Sequence, residues 1–340
     1  MKRPFLLFLL CCLLPLTASA QEKDSFFRDL NDFLNMRENK SYAKLDSNYI
    51  GRYPYHWDAR LFAKSTGLNI VLDGNGSGHL TTGMSTRAGV GLSYRGVGLS
   101  YSRAIGRPID IDLSFDSYGK HFGFEYAFRV SNDLKGEIAF PYLPPLETNE
   151  NVVLFSNKLN LFYNFNSRFS YAAAIKQTMI QRRSAGSFII GASWWIWDIM
   201  QLQDDENALS AQNNWVFEIY QSNLWYNRIS IGAGYGYNLV LGREHWLLHA
   251  SAIPMWTVYE SATLRTEDQR LVTRYPYGLV SFTGSARVGV YYRWGTRWSL
   301  GFSGVGNLMV SKNNHDLDGK QYDRFLAQEW QMTLSLGVRF

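Results

Sequence analysis

The 340-residue sequence predicts an all-β fold, a transmembrane antiparallel β-barrel. Three observations predict it. Apolar and polar residues alternate with a period of two through most of the chain, the alternating segments exceed ordinary strands in length, and an apolar leader precedes them. Successive side chains of a strand point to opposite faces, so this alternation places one face in an apolar phase and the other in a polar one.

Residues 1–20 are predicted to be a secretory signal peptide. Lys2 and Arg3 precede an apolar run at 5–16, and Ala18-Ser19-Ala20 supplies a cleavage site before Gln21. The run is shorter than the roughly 20 apolar residues that a membrane-spanning helix needs. We therefore expect an exported chain.

Cysteine content and charge exclude several classes of function. Cys11 and Cys12 both lie in the leader, so the mature chain is predicted to have no disulfide and no cysteine-bound metal. Loss of Lys2 and Arg3 reduces the 34 basic residues to 32, against 29 acidic ones. This balance is too even to indicate a nucleic-acid partner, and we expect neither a metal nor another cofactor.

Residues 21–56 are predicted to form a short periplasmic segment with one amphipathic helix over 22–45. Phe26, Leu30 and Phe33 recur there at helical spacing among charged residues. The barrel is predicted to occupy 57–340.

The alternation is clearest at 280–294, where Val288 and Val290 take one face while Arg287 and Tyr291 take the other. Such segments exceed the usual 5–6 residues of a globular strand and match the ~9–11 tilted residues that a bilayer requires. Short polar or glycine-bearing turns follow the even-numbered strands, which predicts one rim of tight turns and an opposite rim of long loops. The predicted turns lie at 95–96, 117–120, 164–168, 241–244 and 295, and the predicted loops at 131–151, 260–275 and 312–326.

We predict about fourteen strands. The weakest stretch is 199–226, and if "NNWVFEIYQSNLW" is not a strand the number falls to twelve, because single-chain bacterial barrels close with an even number. The predicted strands span 57–72, 79–94, 96–104, 109–116, 120–130, 152–164, 168–180, 186–198, 214–223, 227–241, 245–259, 276–294, 296–311 and 327–340.

The last residues, "EWQMTLSLGVRF", alternate without interruption. The last strand is predicted to pair with the first, since an unpaired edge in hydrocarbon leaves backbone groups unsatisfied. The stretch resembles the carboxy-terminal signature of bacterial outer-membrane β-barrels. This resemblance implies recognition by the barrel-assembly machinery through Trp330, Leu336, Val338 and Phe340.

Three further segments resemble one family. They are "YIGRYPYHWDARLFAKSTG", "QRRSAGSFIIG" and "GAGYGYNLVLGREHW". They resemble a family of outer-membrane barrels from Bacteroidota that is classed as a domain of unknown function, over about residues 45–340. The resemblance implies a Gram-negative outer-membrane location among lipids and lipopolysaccharide, and it implies no activity.

His249 and Ser251 share the predicted inward face of one strand. A histidine beside a serine could activate a nucleophile for acyl transfer, as in outer-membrane phospholipases. The simpler interpretation is that a lumen face needs polar residues, and side chains two apart on a strand reach each other only if they bend.

Acidic and basic residues face each other across the hairpin that follows 110–116. His121 and Glu125 are the candidates there for acid–base chemistry or metal binding, but such clusters are more often salt-bridge networks of a lumen. The charges predicted to line the lumen are Arg87, Asp110, Asp112, Asp116, Arg129, Arg287, Arg293 and Arg297.

Three functions remain open from the sequence. The first is a non-enzymatic, porin-like barrel, either a narrow channel or a structural component of the outer membrane, which the absence of a complete catalytic set favours. The alternative is a lipid-modifying enzyme, an acyl hydrolase or a lipid A modifying barrel. The third is surface recognition through the predicted loops at 131–151 and 312–326. The fold alone does not separate them.

Overall fold

A computed structural model describes most of the chain. The described residues are 20–43, 45–74, 77–106, 110–132, 134–139, 146–148, 152–202, 220–266, 270–271, 280–312 and 322–340. They fall into two compact units, Met1–Lys44 and Leu45–Phe340.

The first unit contains the helix α1 (Ala20–Tyr42), close to the predicted 22–45. Leu30, Phe33 and Met36 are exposed along it, at 41, 55 and 47%. Within the described residues, no helix combines the length and apolar composition needed to cross a bilayer.

The second unit is all-β except for one short helix. Its elements are β1 (Ile50–Gly51), β2 (Trp57–Gly74), β3 (Ser77–Tyr94), β4 (Val97–Ala104), β5 (Asp110–Tyr118), β6 (Phe122–Ser131), β7 (Leu134–Ala139), β8 (Leu146–Thr148), β9 (Val152–Asn164), α2 (Tyr171–Ile175), β10 (Ile180–Gln181), β11 (Ala185–Leu202), β12 (Tyr220–Leu241), β13 (Trp246–Thr266), β14 (Arg270–Leu271), β15 (Val280–Trp294), β16 (Trp298–Lys312) and β17 (Tyr322–Arg339).

Twelve of these strands close into an antiparallel barrel. The ring runs β2-β17-β16-β15-β13-β12-β11-β9-β6-β5-β4-β3 and returns to β2. Outside this ring, β7 pairs with the first residues of β3, and β8 pairs with β7. The predicted barrel is confirmed. The main prediction of fourteen strands is wrong, and the alternative of twelve is confirmed.

Two errors account for the difference. Segment 168–180, predicted as a strand, instead holds the helix α2 and a turn, because Ala172–Ala174 favour a helix and bury their small side chains inside the barrel. The predicted strands 214–223 and 227–241 are one strand, β12, which begins at Tyr220. Residues 203–219 lie outside the described part of the chain.

Tight turns share one rim, which we call the turn rim. Arg95 and Gly96 both have positive φ, 49° and 78°, as the two central residues of a type I′ hairpin require. The barrel closes at this rim: Trp57 N donates to Phe340 O at 3.2 Å and Phe340 N donates to Trp57 O at 3.1 Å. The opposite end is the loop rim.

The predicted loops of the loop rim are partly strands. Segment 131–151 contains β7 and β8, β13 continues to Thr266, and β17 already begins at Tyr322. The predicted turn at 164–168 is also wrong, since twenty residues, 165–184, separate β9 from β11.

The barrel is apolar outside and charged inside. Phe188 and Trp256 face outward and are 71 and 68% exposed, whereas Arg87 and Arg228 face inward and are 0% exposed. A water-soluble protein has the reverse arrangement, so this outer surface fits hydrocarbon.

Wall height differs around the ring. β4, β5 and β6 have 8, 9 and 10 residues, whereas β12 and β13 have 22 and 21. Because the short turns keep strand ends together at the turn rim, the additional residues of the long strands lie at the loop rim.

Candidate functional site in the barrel lumen

A segment of the chain fills the lumen at the turn rim. We call this segment, residues 165–184, the plug. It contains α2 and β10, and β10 pairs with β1, so a two-stranded sheet lies beside the helix. Phe169 and Ala172–Ala174 are fully buried and Tyr171 is 3% exposed. Such burial on a loop requires contact with the walls on several sides.

Six barrel strands hold the plug. On β11, Ser187 Oγ and Gly186 O accept hydrogen bonds from Asn166 at 3.0 and 2.7 Å. Lys176 Nζ lies 2.6 Å from Asp116 Oδ2 on β5, and the Tyr171 ring stacks on Phe162 of β9 at 5.4 Å between centroids. The remaining contacts come from β12, β13 and β17: Asn238 Nδ2 donates to Ser170 O at 3.0 Å, Tyr171 Oη and Ser251 Oγ lie 3.2 Å apart, and Arg339 Nη2 donates to Gln177 O at 2.7 Å.

Two ion pairs cross the middle of the lumen. Lys158 on β9 contacts Glu329 on β17 at 2.9 Å, and these strands stand half-way round the ring from each other. Arg287 on β15 binds Glu125 on β6 with two hydrogen bonds of 2.6 Å, across five steps of the ring. At this height the lumen is therefore only about two side chains wide.

The predicted acidic residues of the hairpin also have basic partners. Asp110 binds Arg87 through Nε at 3.0 Å and Nη2 at 2.6 Å, and Arg129 Nε lies 3.8 Å from it. Asp112 contacts Lys64 at 2.7 Å. These contacts form a salt-bridge network, the simpler of the two sequence interpretations.

Two of the predicted lumen arginines lie at the turn rim instead. Arg293 Nη2 donates to Glu244 O at 2.6 Å. Arg297 is exposed in the turn between β15 and β16, where its Nε donates to the Tyr55 hydroxyl at 2.9 Å. This hydrogen bond lowers the pKa of the Tyr55 phenol.

An apolar layer fills the lumen toward the loop rim. The rings of Trp195, Trp197, Tyr226 and Phe325 follow one another at 5.0–5.9 Å between centroids and reach from β11 to β17. Sequence reasoning missed this layer. The available signal was "SWWIWDIM" on β11, which is apolar on both faces and therefore indicates burial on both.

A polar cavity of about 240 Å³ lies between the plug and the apolar layer. Lys176 of the plug lines it, as do Lys158 and Glu329 of the wall. The lumen thus consists of three layers: plug, polar cavity and apolar layer.

The predicted pair His249 and Ser251 belongs to a hydrogen-bonded chain between wall and plug. His249 Nδ1 lies 2.8 Å from Asn238 Oδ1, and His249 Nε2 lies 3.0 Å from Ser251 Oγ. Asn238 Nδ2 donates to Gln181 Oε1 and Ser170 O, each at 3.0 Å, so its oxygen faces the histidine.

This arrangement fixes the histidine tautomer. An amide oxygen only accepts, so His249 Nδ1 carries a proton, and in the neutral imidazole Nε2 accepts the hydrogen bond of Ser251. A serine, a histidine base and an orienting amide in that order have the geometry of a nucleophile site. Side chains two apart on a strand reach each other only if they bend, and the side chains of His249 and Ser251 do so here.

The space around Ser251 is filled. Ser251 is 7% exposed, and a methyl group placed on its cross-strand neighbour Gly236 would meet Phe169 at 3.1 Å and Ile189 at 2.9 Å. No acyl group fits beside Ser251 while the plug is in place.

His121 and Glu125 are not brought together. His121 Nδ1 contacts Asn164 O at 2.6 Å at the turn rim, whereas Glu125 binds Arg287 about four residues, roughly 13 Å, further along the wall. Within the described residues, no group of three or more histidine, cysteine, aspartate or glutamate side chains is placed to hold a metal ion.

Comparison with known protein families matches residues 44–340 to one described as a domain of unknown function, DUF4421. The chain belongs to the DUF4421 family. The sequence resemblance to a domain of unknown function is thereby confirmed, while the Bacteroidota origin and the carboxy-terminal signature stay predictions. The DUF4421 domain includes the whole barrel and its plug.

Several solved structures resemble the chain. They include the β-domain of the Bordetella autotransporter BrkA (11% identity, 83% of this chain and 99% of that chain, TM-score 0.36) and the translocator domain of the autotransporter NalP from Neisseria meningitidis (11%, 95 and 100%, 0.33). An outer membrane channel from Pseudomonas putida F1 is similar at 10% identity, with 87 and 99% covered and a TM-score of 0.33. No curated protein matches the chain.

Proposed function

We propose that this DUF4421 protein is a structural barrel of the bacterial outer membrane whose lumen is closed to ions. The observation that carries the proposal is the plug, which is bound to six strands around the turn rim. The cross-lumen ion pairs and the apolar layer support it, because each of them narrows the lumen at a further level between the plug and the loop rim.

The outward surface supports the membrane location. At the turn rim, Trp57 lies against Tyr94 and Phe340 at 4.5 and 6.5 Å between ring centroids, and Trp294 stacks on Trp298 at 6.4 Å. Aromatic residues prefer the interface between hydrocarbon and water. We take the turn rim as periplasmic, because inner turns of such barrels are short, and lipids and lipopolysaccharide as the surroundings.

Conductance in a planar bilayer tests the closed lumen. The wild-type protein is expected to insert without discrete current steps, because each layer excludes hydrated ions. A variant in which residues 168–182 are replaced by a Gly-Ser link, and in which Glu125, Lys158, Arg287, Glu329, Trp195 and Trp197 are changed to alanine, is expected to conduct. The plug, the cross-lumen ion pairs and the apolar layer are then all opened.

Arg243→Ala, in an exposed turn at the same rim, is the matched control and should stay silent. A shift in gel mobility on boiling establishes that each variant is folded. Discrete steps from the wild-type protein, equal to those of the opened variant, would show an open channel and end the proposal.

The Asn238–His249–Ser251 chain favours a second candidate, acyl hydrolysis by a barrel whose plug has moved. Ser251 Oγ would attack an ester carbonyl while His249 Nε2 takes its proton and passes it to the leaving alcohol. Water would then release the acyl group from the serine.

A fluorophosphonate probe distinguishes this candidate. Ser251 is expected to be labelled in the variant that lacks 168–182, less in the wild type, and not after Ser251→Ala or His249→Ala. Ser230→Ala, another inward serine on the neighbouring strand, should leave labelling unchanged. Unlabelled Ser251 in the folded plug-less variant would exclude the hydrolase.

A further inference from the structure

The cavity in the middle of the lumen has an excess of positive charge. Four carboxylates line it, those of Asp112, Asp116, Glu125 and Glu329. Six basic side chains line it, those of Arg60, Lys64, Arg129, Lys158, Lys176 and Arg287, so the described lining carries two more positive than negative charges.

Neighbouring charges do not remove this excess. Asp58 contacts Arg60 at 2.6 Å but also Arg339 at 3.4 Å. Including Asp58 and Arg339 in the count therefore adds one negative and one positive charge. Arg87 and Asp110 likewise cancel. His249 also lines the cavity and carries no negative charge in either protonation state, so it does not reduce this excess.

The carboxylates are already engaged. Each contacts a basic side chain at 2.6–2.9 Å: Asp112 with Lys64, Asp116 with Lys176, Glu125 with Arg287 and Glu329 with Lys158. Arg60 Nη2 is buried and has no hydrogen-bond partner among the described residues. A buried donor and a buried excess of charge both carry a free-energy cost that a ligand of opposite charge would relieve.

We propose that this cavity binds a small oxyanion, such as phosphate or a carboxylate. Its volume of about 240 Å³ is several times the ~30 Å³ share of one water molecule, so it holds a polyatomic anion. Hydroxyls of Ser156, Ser303 and Thr333 line the same space and can donate to anion oxygens. The site goes beyond the closed lumen and stands whether or not the barrel conducts. An anion enters when one closing layer opens transiently, whereas conduction needs every layer open at once.

The ion pair of Lys64 and Asp112 provides a matched test. Lys64→Gln and Asp112→Asn break the same contact, so they remove the same bridge, but they change the cavity charge in opposite directions. The affinity of the folded, detergent-solubilised protein for inorganic phosphate and for acetate is measured by calorimetry and by the shift of the unfolding temperature, with sodium chloride at equal ionic strength as reference.

Phosphate is expected to raise the unfolding temperature of the wild type more than chloride does. One unit charge within the cavity is worth about tenfold in affinity, so Asp112→Asn should bind phosphate about tenfold more tightly and Lys64→Gln about tenfold more weakly. Acetate bound in place of phosphate would identify a carboxylate site of the same chemistry. Arg297→Gln, at the exposed turn, should bind as the wild type does.

Equal affinities in the two variants, or stabilisation by phosphate no greater than by chloride, would overturn the proposal. Conductance of the wild-type protein would overturn the closed barrel and leave this result untouched. The two failures are therefore distinguishable.

Discussion

Arg87 shows what a charged side chain needs inside this barrel. It is 0% exposed, binds Asp110 with both Nε and Nη2, and donates to Thr66 through Nη1. Alternation in the sequence predicts that Arg87 and Asp110 face inward. It does not predict their contact, because β3 and β5 are separated in the ring by β4.

Replacing one member of this ion pair should destabilise the barrel. Arg87→Leu leaves Asp110 buried with Ser85 as its close partner and is expected to lower the free energy of unfolding by about 3 kcal/mol. The double variant Arg87→Leu, Asp110→Leu should lose less, because neither member of the pair then stays buried as a charge without the other. Urea unfolding in lipid vesicles measures both.

Arg297→Ala serves as the control at an exposed position, where stability should stay near that of the wild type. A single variant no less stable than the double variant would contradict this account of the pair.

The plug is the element that the sequence did not reveal. Segment 168–180 contains Phe169, Tyr171 and Met179 at alternating positions, which is typical of a strand. The space inside the ring decides its structure, because apolar side chains of a segment inside the barrel are buried against the inner wall. Ser170 caps α2 by accepting a hydrogen bond from Ala173 N at 3.1 Å. In the sequence, this serine indicates the start of a helix only after a strand over 168–180 has been excluded.

Asn238 is predicted to hold this element to the wall. Asn238→Ala removes donors to Ser170 O and Gln181 Oε1 together with the acceptor of His249. Hydrogen–deuterium exchange of peptides from 170–181 should therefore become at least about tenfold faster, the effect of losing roughly 1.4 kcal/mol of local stability.

Asn227→Ala is the matched control on the same strand, because Asn227 accepts from outward-facing Trp194 instead of the plug. Exchange in 170–181 should not change there. Equal acceleration in both variants would show that β12 as a whole, and not the contact of Asn238, protects the plug.

At the scale of the molecule, the sequence predicts the two-residue alternation and a rim of short turns, and it leaves the number of strands open between fourteen and twelve. The two-residue alternation identifies a wall with one apolar face, and the pairing of the last strand with the first follows from hydrocarbon alone. The number of strands depends on whether an apolar segment crosses the wall or lies inside it. That choice is made by contacts such as Arg339 with Gln177, which join residues 162 positions apart.

The unequal strands give the wall two different constructions toward the loop rim. β12 and β13, with 22 and 21 residues, exceed the 8 to 10 residues of β4–β6 by 11 to 14 residues, or roughly 30 Å at the usual tilt. On the side of β4 the wall is instead continued by β7, which pairs with the first residues of β3, and by β8, which pairs with β7. In the proposed orientation, with the turn rim periplasmic, both constructions lie on the extracellular side. A macromolecule approaching from there would contact two uninterrupted strands at β12 and β13 and a separate hairpin, β7–β8, half-way round the ring.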